Sequence, residues 1–88
     1  MRVRYTDEAE LCMKRLPRHI ARRIADKIDW YAEQKVPLSF ARRLWDPVDT
    51  LFRFRIGDYR AIFRLEGCTL EIILILTVKH RKEVYRGV

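Results

Sequence analysis

Two periods divide the chain. From Ala9 to Tyr31 the apolar side chains recur at helical spacing, whereas from Phe52 onward they recur at every second residue. Before both, Arg2-Val3-Arg4-Tyr5 alternates polar and apolar with Val3 and Tyr5 on one side, which predicts a short strand. Thr6 is placed to cap a helix whose first turn holds Asp7, Glu8 and Glu10, carboxylates that favour the positive end of a helix dipole. Ala9, Cys12, Met13 and Leu16 share one face of it. Pro17 suits the first position of a second helix, down which Ile20, Ile24, Ile28 and Tyr31 continue the apolar stripe. Residues 35–49, with Pro37, Pro47 and Ser39, read as a connector holding one helical turn around Phe40 to Leu44, and Trp45 is expected to plug the core edge.

Phe52, Phe54 and Ile56 then alternate with Arg53 and Arg55, and Gly57-Asp58 offers a two-residue type II′ hairpin turn. Tyr59 to Leu65 forms the next strand, Glu66-Gly67 turns again, and Thr69 to Val78 follows. Its run Ile72-Ile73-Leu74-Ile75-Leu76 is apolar on both faces, the mark of a central strand. The expected fold is α+β in the order β-α-α-β-β-β, a small antiparallel sheet with a helical hairpin packed on one face, forming a single domain over residues 1–88.

If Gly57 and Asp58 are the whole loop, antiparallel register sets Ile56 opposite Tyr59, Arg55 opposite Arg60 and Arg53 opposite Ile62. Alternation then gathers Arg53, Arg55 and Arg60 on one face, away from Phe52, Phe54, Tyr59 and Phe63. Like charges directly across a strand pair destabilise by roughly 0.2–1 kcal/mol. An anion seated between Arg55 and Arg60 is the simplest reason for such a pair. A second tight turn would set Leu65 opposite Cys68 and Arg60 beside Ile73.

Charge extends this picture. The chain carries a formal +7, and the excess is +3 over residues 1–49 (11 basic, 8 acidic) and +4 over residues 50–88 (8 basic, 4 acidic), so it belongs to the folded body. Anionic partners follow, nucleic acid or an acidic protein among them. The second helix adds Arg18, Arg22, Arg23 and Lys27 on its polar face, which is either a solvated surface or a contact to ribosomal RNA or an acidic partner. No apolar run approaches membrane-spanning length and the N-terminus lacks a secretory signal, so a cytoplasmic protein with no membrane partner is expected. Cys12 and Cys68 match no metal spacing and are expected as reduced thiols; neither a metal nor a cofactor is predicted.

The C-terminal stretch Val78-Lys79-His80-Arg81-Lys82-Glu83-Val84-Tyr85 leaves the sheet beside the arginine face. Histidine is the side chain suited to proton exchange near neutrality, and an aromatic such as Tyr85 beside arginines can stack on a base. Together with Arg53-Phe54-Arg55-Ile56-Gly57-Asp58-Tyr59-Arg60, this stretch closely resembles the RelE/ParE superfamily of bacterial type II toxin-antitoxin toxins, and the resemblance spans nearly the whole chain. It implies the RelE-like microbial ribonuclease-type fold. It also implies a metal-independent mRNA interferase working in the ribosomal A site, with mRNA, the ribosome and a cognate antitoxin protein as partners.

In that chemistry a ribose 2′-hydroxyl attacks the adjacent phosphate, leaving a 2′,3′-cyclic phosphate and a free 5′-hydroxyl. By position, the resemblance makes Arg60 the arginine that stabilises the transition-state phosphate, Arg81 a group serving the leaving oxygen, and Tyr85 the residue that stacks on or orients substrate. Arg53 and Arg55 stand where the best-known RelE enzymes carry lysines; they can hold phosphate, but guanidinium is a poor base. His80 is therefore the candidate proton carrier, as acid or as base. The alternative is a ParE-like protein that binds DNA gyrase and has no nuclease activity.

Overall fold

The computed structural model describes residues 1–84. Strand β1 (Arg2–Tyr5) leads into α1 (Asp7–Arg15) and α2 (Arg18–Glu33). A 3-10 turn (Pro37–Phe40) and β2 (Ala41–Leu44) follow, then β3 (Leu51–Ile56), β4 (Tyr59–Glu66), β5 (Ile72–His80) and the short α3 (Arg81–Val84). The five strands lie in the order β1-β5-β4-β3-β2. β1 runs parallel to β5, and the other pairs are antiparallel.

The helical hairpin covers one sheet face as its apolar stripe requires. Ala9, Ile24, Ile28, Tyr31 and Ala32 meet Phe54, Ile56, Ala61, Phe63, Ile73, Ile75 and Val78 in one buried cluster. Tyr31 stacks on Phe54 with ring centroids 4.4 Å apart, and Phe54 on Phe63 at 4.3 Å. Thr6 caps α1 by accepting the Ala9 N–H at 3.1 Å. Pro17 occupies the cap of α2, one residue earlier than its φ preference suggests, and its carbonyl accepts the N–H groups of Ile20 and Ala21. No helix among the described residues is long and apolar enough to cross a membrane.

Three expectations change. The sheet is mixed and has a fifth strand, because residues 41–44 pair with β3 rather than coil, and the helical turn sits just before them. Ala-Arg-Arg-Leu has no period-2 apolar signal; the free edge of β3 supplies the partner that its side chains do not announce. Trp45 is 87% exposed and plugs nothing. The edge strand has ended at Leu44, and Asp46 turns the chain outward by accepting the N–H groups of Val48 and Asp49.

The third change is register. The first hairpin closes as the two-residue loop requires, with positive φ at Gly57 (58°) and not at Asp58. The second closes on Glu66 opposite Ile72, around a loop in which Glu71 accepts from the backbone N–H and hydroxyl of Thr69. Leu65 therefore meets Ile73. Ile62 pairs with Thr77 but Phe63 with Ile75, which leaves Leu76 as an extra residue in β5. Its carbonyl accepts the Thr6 hydroxyl at 2.8 Å, so one side chain both caps α1 and holds the bulge. Beyond the bulge Arg60 stands opposite Lys79, not Ile73.

Candidate functional site

The face turned away from α1 and α2 is cationic. Arg55 on β3, Arg60 on β4 and Lys79 on β5 are direct neighbours across three strands, and Arg42 on β2 is opposite Arg53. A cleft of about 380 Å3 opens there, lined by Phe40, Arg42, Arg53, Arg55 and Arg60. Among the described residues no carboxylate forms an ion pair with Arg42, Arg55, Arg60 or Lys79.

Arg60 is the buried member, 5% exposed. Its Nη1 donates to the carbonyls of Gly57 and Tyr59, each at 2.9 Å, which fixes the guanidinium against the hairpin turn. Its Nε is buried without a hydrogen-bond partner among the described residues. A buried donor left unpaired is costly, so this nitrogen is an unfavourable element of the fold. Arg55 is braced from the core side, where the Tyr31 hydroxyl donates to its carbonyl at 2.7 Å. Burial pushes the Tyr31 phenol above its ordinary 10.0, and the Arg55 charge offsets part of that rise.

Arg81 joins Arg60 at the same turn. Its N–H donates to the Asp58 carbonyl at 2.7 Å, and its Nε lies 3.7 Å from Asp58 Oδ1. Gly57 and Asp58 thus gather two arginines from distant parts of the sequence. The type II′ turn is the element that positions both.

His80 goes elsewhere. It pairs with Tyr59, whose ring it meets edge-on at 5.4 Å, and alternation sets both on the side opposite Arg60. Its Nδ1 accepts the Lys82 N–H at 3.3 Å while its own N–H donates to Glu83 Oε1 at 3.4 Å. That reciprocal pair is a capping box, so His80-Arg81-Lys82-Glu83 starts α3 as well as carrying a motif. Tyr85 lies outside the described residues. The face also holds Phe40, Arg42 and Lys79, which the sequence reading did not single out. Phe40 and Arg42 were hidden with β2, whereas Lys79 was visible as the strand neighbour of His80 on the opposite face.

A second concavity of about 720 Å3 lies between α2 and the β3–β4 turn. Arg22, Arg23 and Lys27 line it from the helix, Arg55 and Gly57 from the hairpin. Lys27 Nζ sits 4.3 Å above the exposed Trp30 ring. Arg55 borders both concavities.

A mixed sheet carrying a helical hairpin on one face and a row of cations on the other defines a class of small toxin. The family model for the ParE toxin of type II toxin-antitoxin systems, parDE, matches residues 3–85, and the chain belongs to that family, within the RelE/ParE superfamily. Solved structures agree. The RelBE2 toxin-antitoxin complex from Mycobacterium tuberculosis contains a chain similar to this one, with a TM-score of 0.73 and 26% identity over 91% of this chain and 96% of that one. The RelE-RelB complex from Pyrococcus horikoshii gives 0.68 and 30% over 91% and 93%. The RelB-RelE complex from Methanococcus jannaschii, at 21% identity and 0.65 over 96% of each chain, shares the fold. No curated protein matches the chain significantly.

Proposed function

We propose that this toxin is a ribosome-dependent mRNA endoribonuclease that inhibits translation. The observation that carries the reading is Arg60, a buried guanidinium with an unpaired Nε beside the cross-strand Arg55. That arrangement suits a single phosphate, and the surrounding Arg42 and Arg53 suit a polyanionic strand. In this reading Arg60, with Arg53 and Arg55, grips the phosphate whose charge grows as the 2′-hydroxyl attacks. Arg81, fixed beside it at the turn, steadies charge toward the leaving oxygen. His80 serves by anchoring the segment that carries Arg81 and Tyr85, and Tyr85 orients or stacks on the base. An acidic antitoxin would be the cognate partner, as RelB proteins accompany the toxins in the similar complexes.

The match to the ParE model favours a second reading, a DNA gyrase inhibitor without nuclease activity. Inducing the toxin in cells and mapping RNA 5′ ends separates the two. In-frame cuts that require ribosomes are expected, with cleavage falling about 100- to 1000-fold in Arg60→Ala, as for loss of a transition-state donor. Because Arg60 also holds the hairpin, Arg55→Ala is the companion variant. It leaves those turn bonds intact and should still weaken cleavage. Intact transcripts with DNA breaks and co-purifying gyrase would establish the second reading instead.

A further inference from the structure

Phe40 is the apolar member of the cationic cleft, whose other walls are Arg42, Arg53, Arg55 and Arg60. Its backbone is held from both sides. Pro37 is buried at the start of the 3-10 turn, the Ser39 hydroxyl donates to the Val36 carbonyl at 2.7 Å, and the Ala41 N–H closes the turn on the Leu38 carbonyl. The ring leans on α2, edge-on to Trp30 at 5.3 Å and tilted against Tyr31 at 5.6 Å. It is nevertheless 44% exposed, an aromatic surface left open beside four arginines. Because Ala41 pairs with Phe54, the residue before it comes level with Arg55, and Arg55 in turn stands opposite Arg60. Neighbouring strands lie about 4.8 Å apart, so the ring stands one strand away from the arginine pair.

We infer that Phe40 is the stacking platform for one RNA base on the 5′ side of the cut, an assignment that rests on the proposed cleavage reaction. A nucleotide joins a flat base to a phosphate, and here an open ring adjoins a pair of guanidinium groups within one nucleotide's reach. The polarity follows from the hairpin turn. Arg81 is fixed there, on the side given to the leaving oxygen, whereas Phe40 lies across Arg55 from it, so the strand that carries the attacking 2′-hydroxyl runs toward β2. Arg42, opposite Arg53, then meets the preceding phosphate. Stacking accepts every base, so this contact biases the sequence that is cut, toward the larger faces of purines, without dictating it.

Removing the base and removing the ring should cost the same, and only once. Full-length toxin, ribosomes and model mRNAs are combined, with one nucleotide at a time near the cut replaced by an abasic ribonucleotide. Wild type should lose about 5- to 150-fold in cleavage rate at one position on the 5′ side, the range of a single base stacked on an aromatic ring. Phe40→Leu, which keeps an apolar filler against Trp30 and Tyr31, should lose a similar factor on the intact mRNA and nothing further when that base is missing. Phe40→Trp should retain the wild-type dependence on the same base.

An undiminished rate in Phe40→Leu would overturn the assignment and leave the cleavage reading standing. So would a loss that multiplies with base removal at every position, the mark of a ring that only supports the fold, or coupling of Phe40 to a base on the 3′ side. A wild-type toxin that leaves the intact mRNA whole would overturn the cleavage reading and this inference with it.

Discussion

Arg60 concentrates the physics of the site in one side chain. A guanidinium taken this far out of water is tolerated when its donors are met, and the hairpin meets one nitrogen twice through Gly57 and Tyr59. The unpaired Nε and the neighbouring charge of Arg55 leave an unfavourable balance, which the phosphate of the proposed reaction would relieve. Lysine could not reproduce this, because its single ammonium cannot bind the turn and an anion through a planar fork. A half-buried group, Tyr5, yields a prediction free of the proposed function. Burial, and then the nearby Asp29 charge, push the Tyr5 phenol from 10.0 to about 12. The folded state therefore holds this proton more tightly than the unfolded chain does. Stability should be insensitive to Tyr5 below pH 10 and should fall as pH rises from 10 toward about 12. Near-UV absorbance should show one phenolate appearing last, and Tyr5→Phe should abolish that step and flatten the alkaline loss of stability.

At the scale of elements, the bulge in β5 connects the N-terminal helix to the working face. Thr6 accepts the Ala9 N–H and donates to Leu76, so the cap of α1 and the irregularity that orients Lys79 and His80 share one hydroxyl. Thr6→Ala should cost about 1–3 kcal/mol, a cap plus a partly buried hydrogen bond, measured by denaturant unfolding. A loss below about 0.5 kcal/mol would mean that water replaces both bonds. The edge strand β2 works similarly at the other end of the sheet. Its pairing with β3 sets Arg42 beside Arg53 and places Phe40 at the cleft mouth. Neither helical periodicity nor strand alternation in Ala41-Arg42-Arg43-Leu44 could have announced it, because an edge strand with arginines at its centre is held by backbone bonds.

For the molecule as a whole, charge is distributed with purpose. Two concavities, one on the sheet and one between α2 and the hairpin, are both basic and share Arg55 as a border. An acidic segment of the proposed antitoxin that entered the α2 groove would reach Arg55 and so compete with substrate. Replacing Arg22, Arg23 and Lys27 together by glutamate should leave the toxin active and make it resistant to neutralisation, as read by growth on co-expression with the antitoxin. Unchanged neutralisation would place the antitoxin on another surface.

The sequence by itself determined the order of the main elements, the helical stripe that forms the core and the first hairpin. A two-residue loop with glycine leading leaves one register, and that register alone set Arg55 opposite Arg60. It also exposed the basic character of that face, since arginine alternated with apolar side chains over five consecutive residues, Phe52 to Ile56. What the tertiary structure decided was everything that depended on long closures. The length of the second loop, the bulge at Leu76, the strand supplied by a neighbour's free edge and the exposure of Trp45 arise from backbone pairing between distant segments, which leaves little trace in local periodicity. The burial of Arg60 and the turning of His80 away from it belong to the same group. A one-residue offset in β5 exchanges the faces of Lys79 and His80, because side chains alternate strictly along a strand.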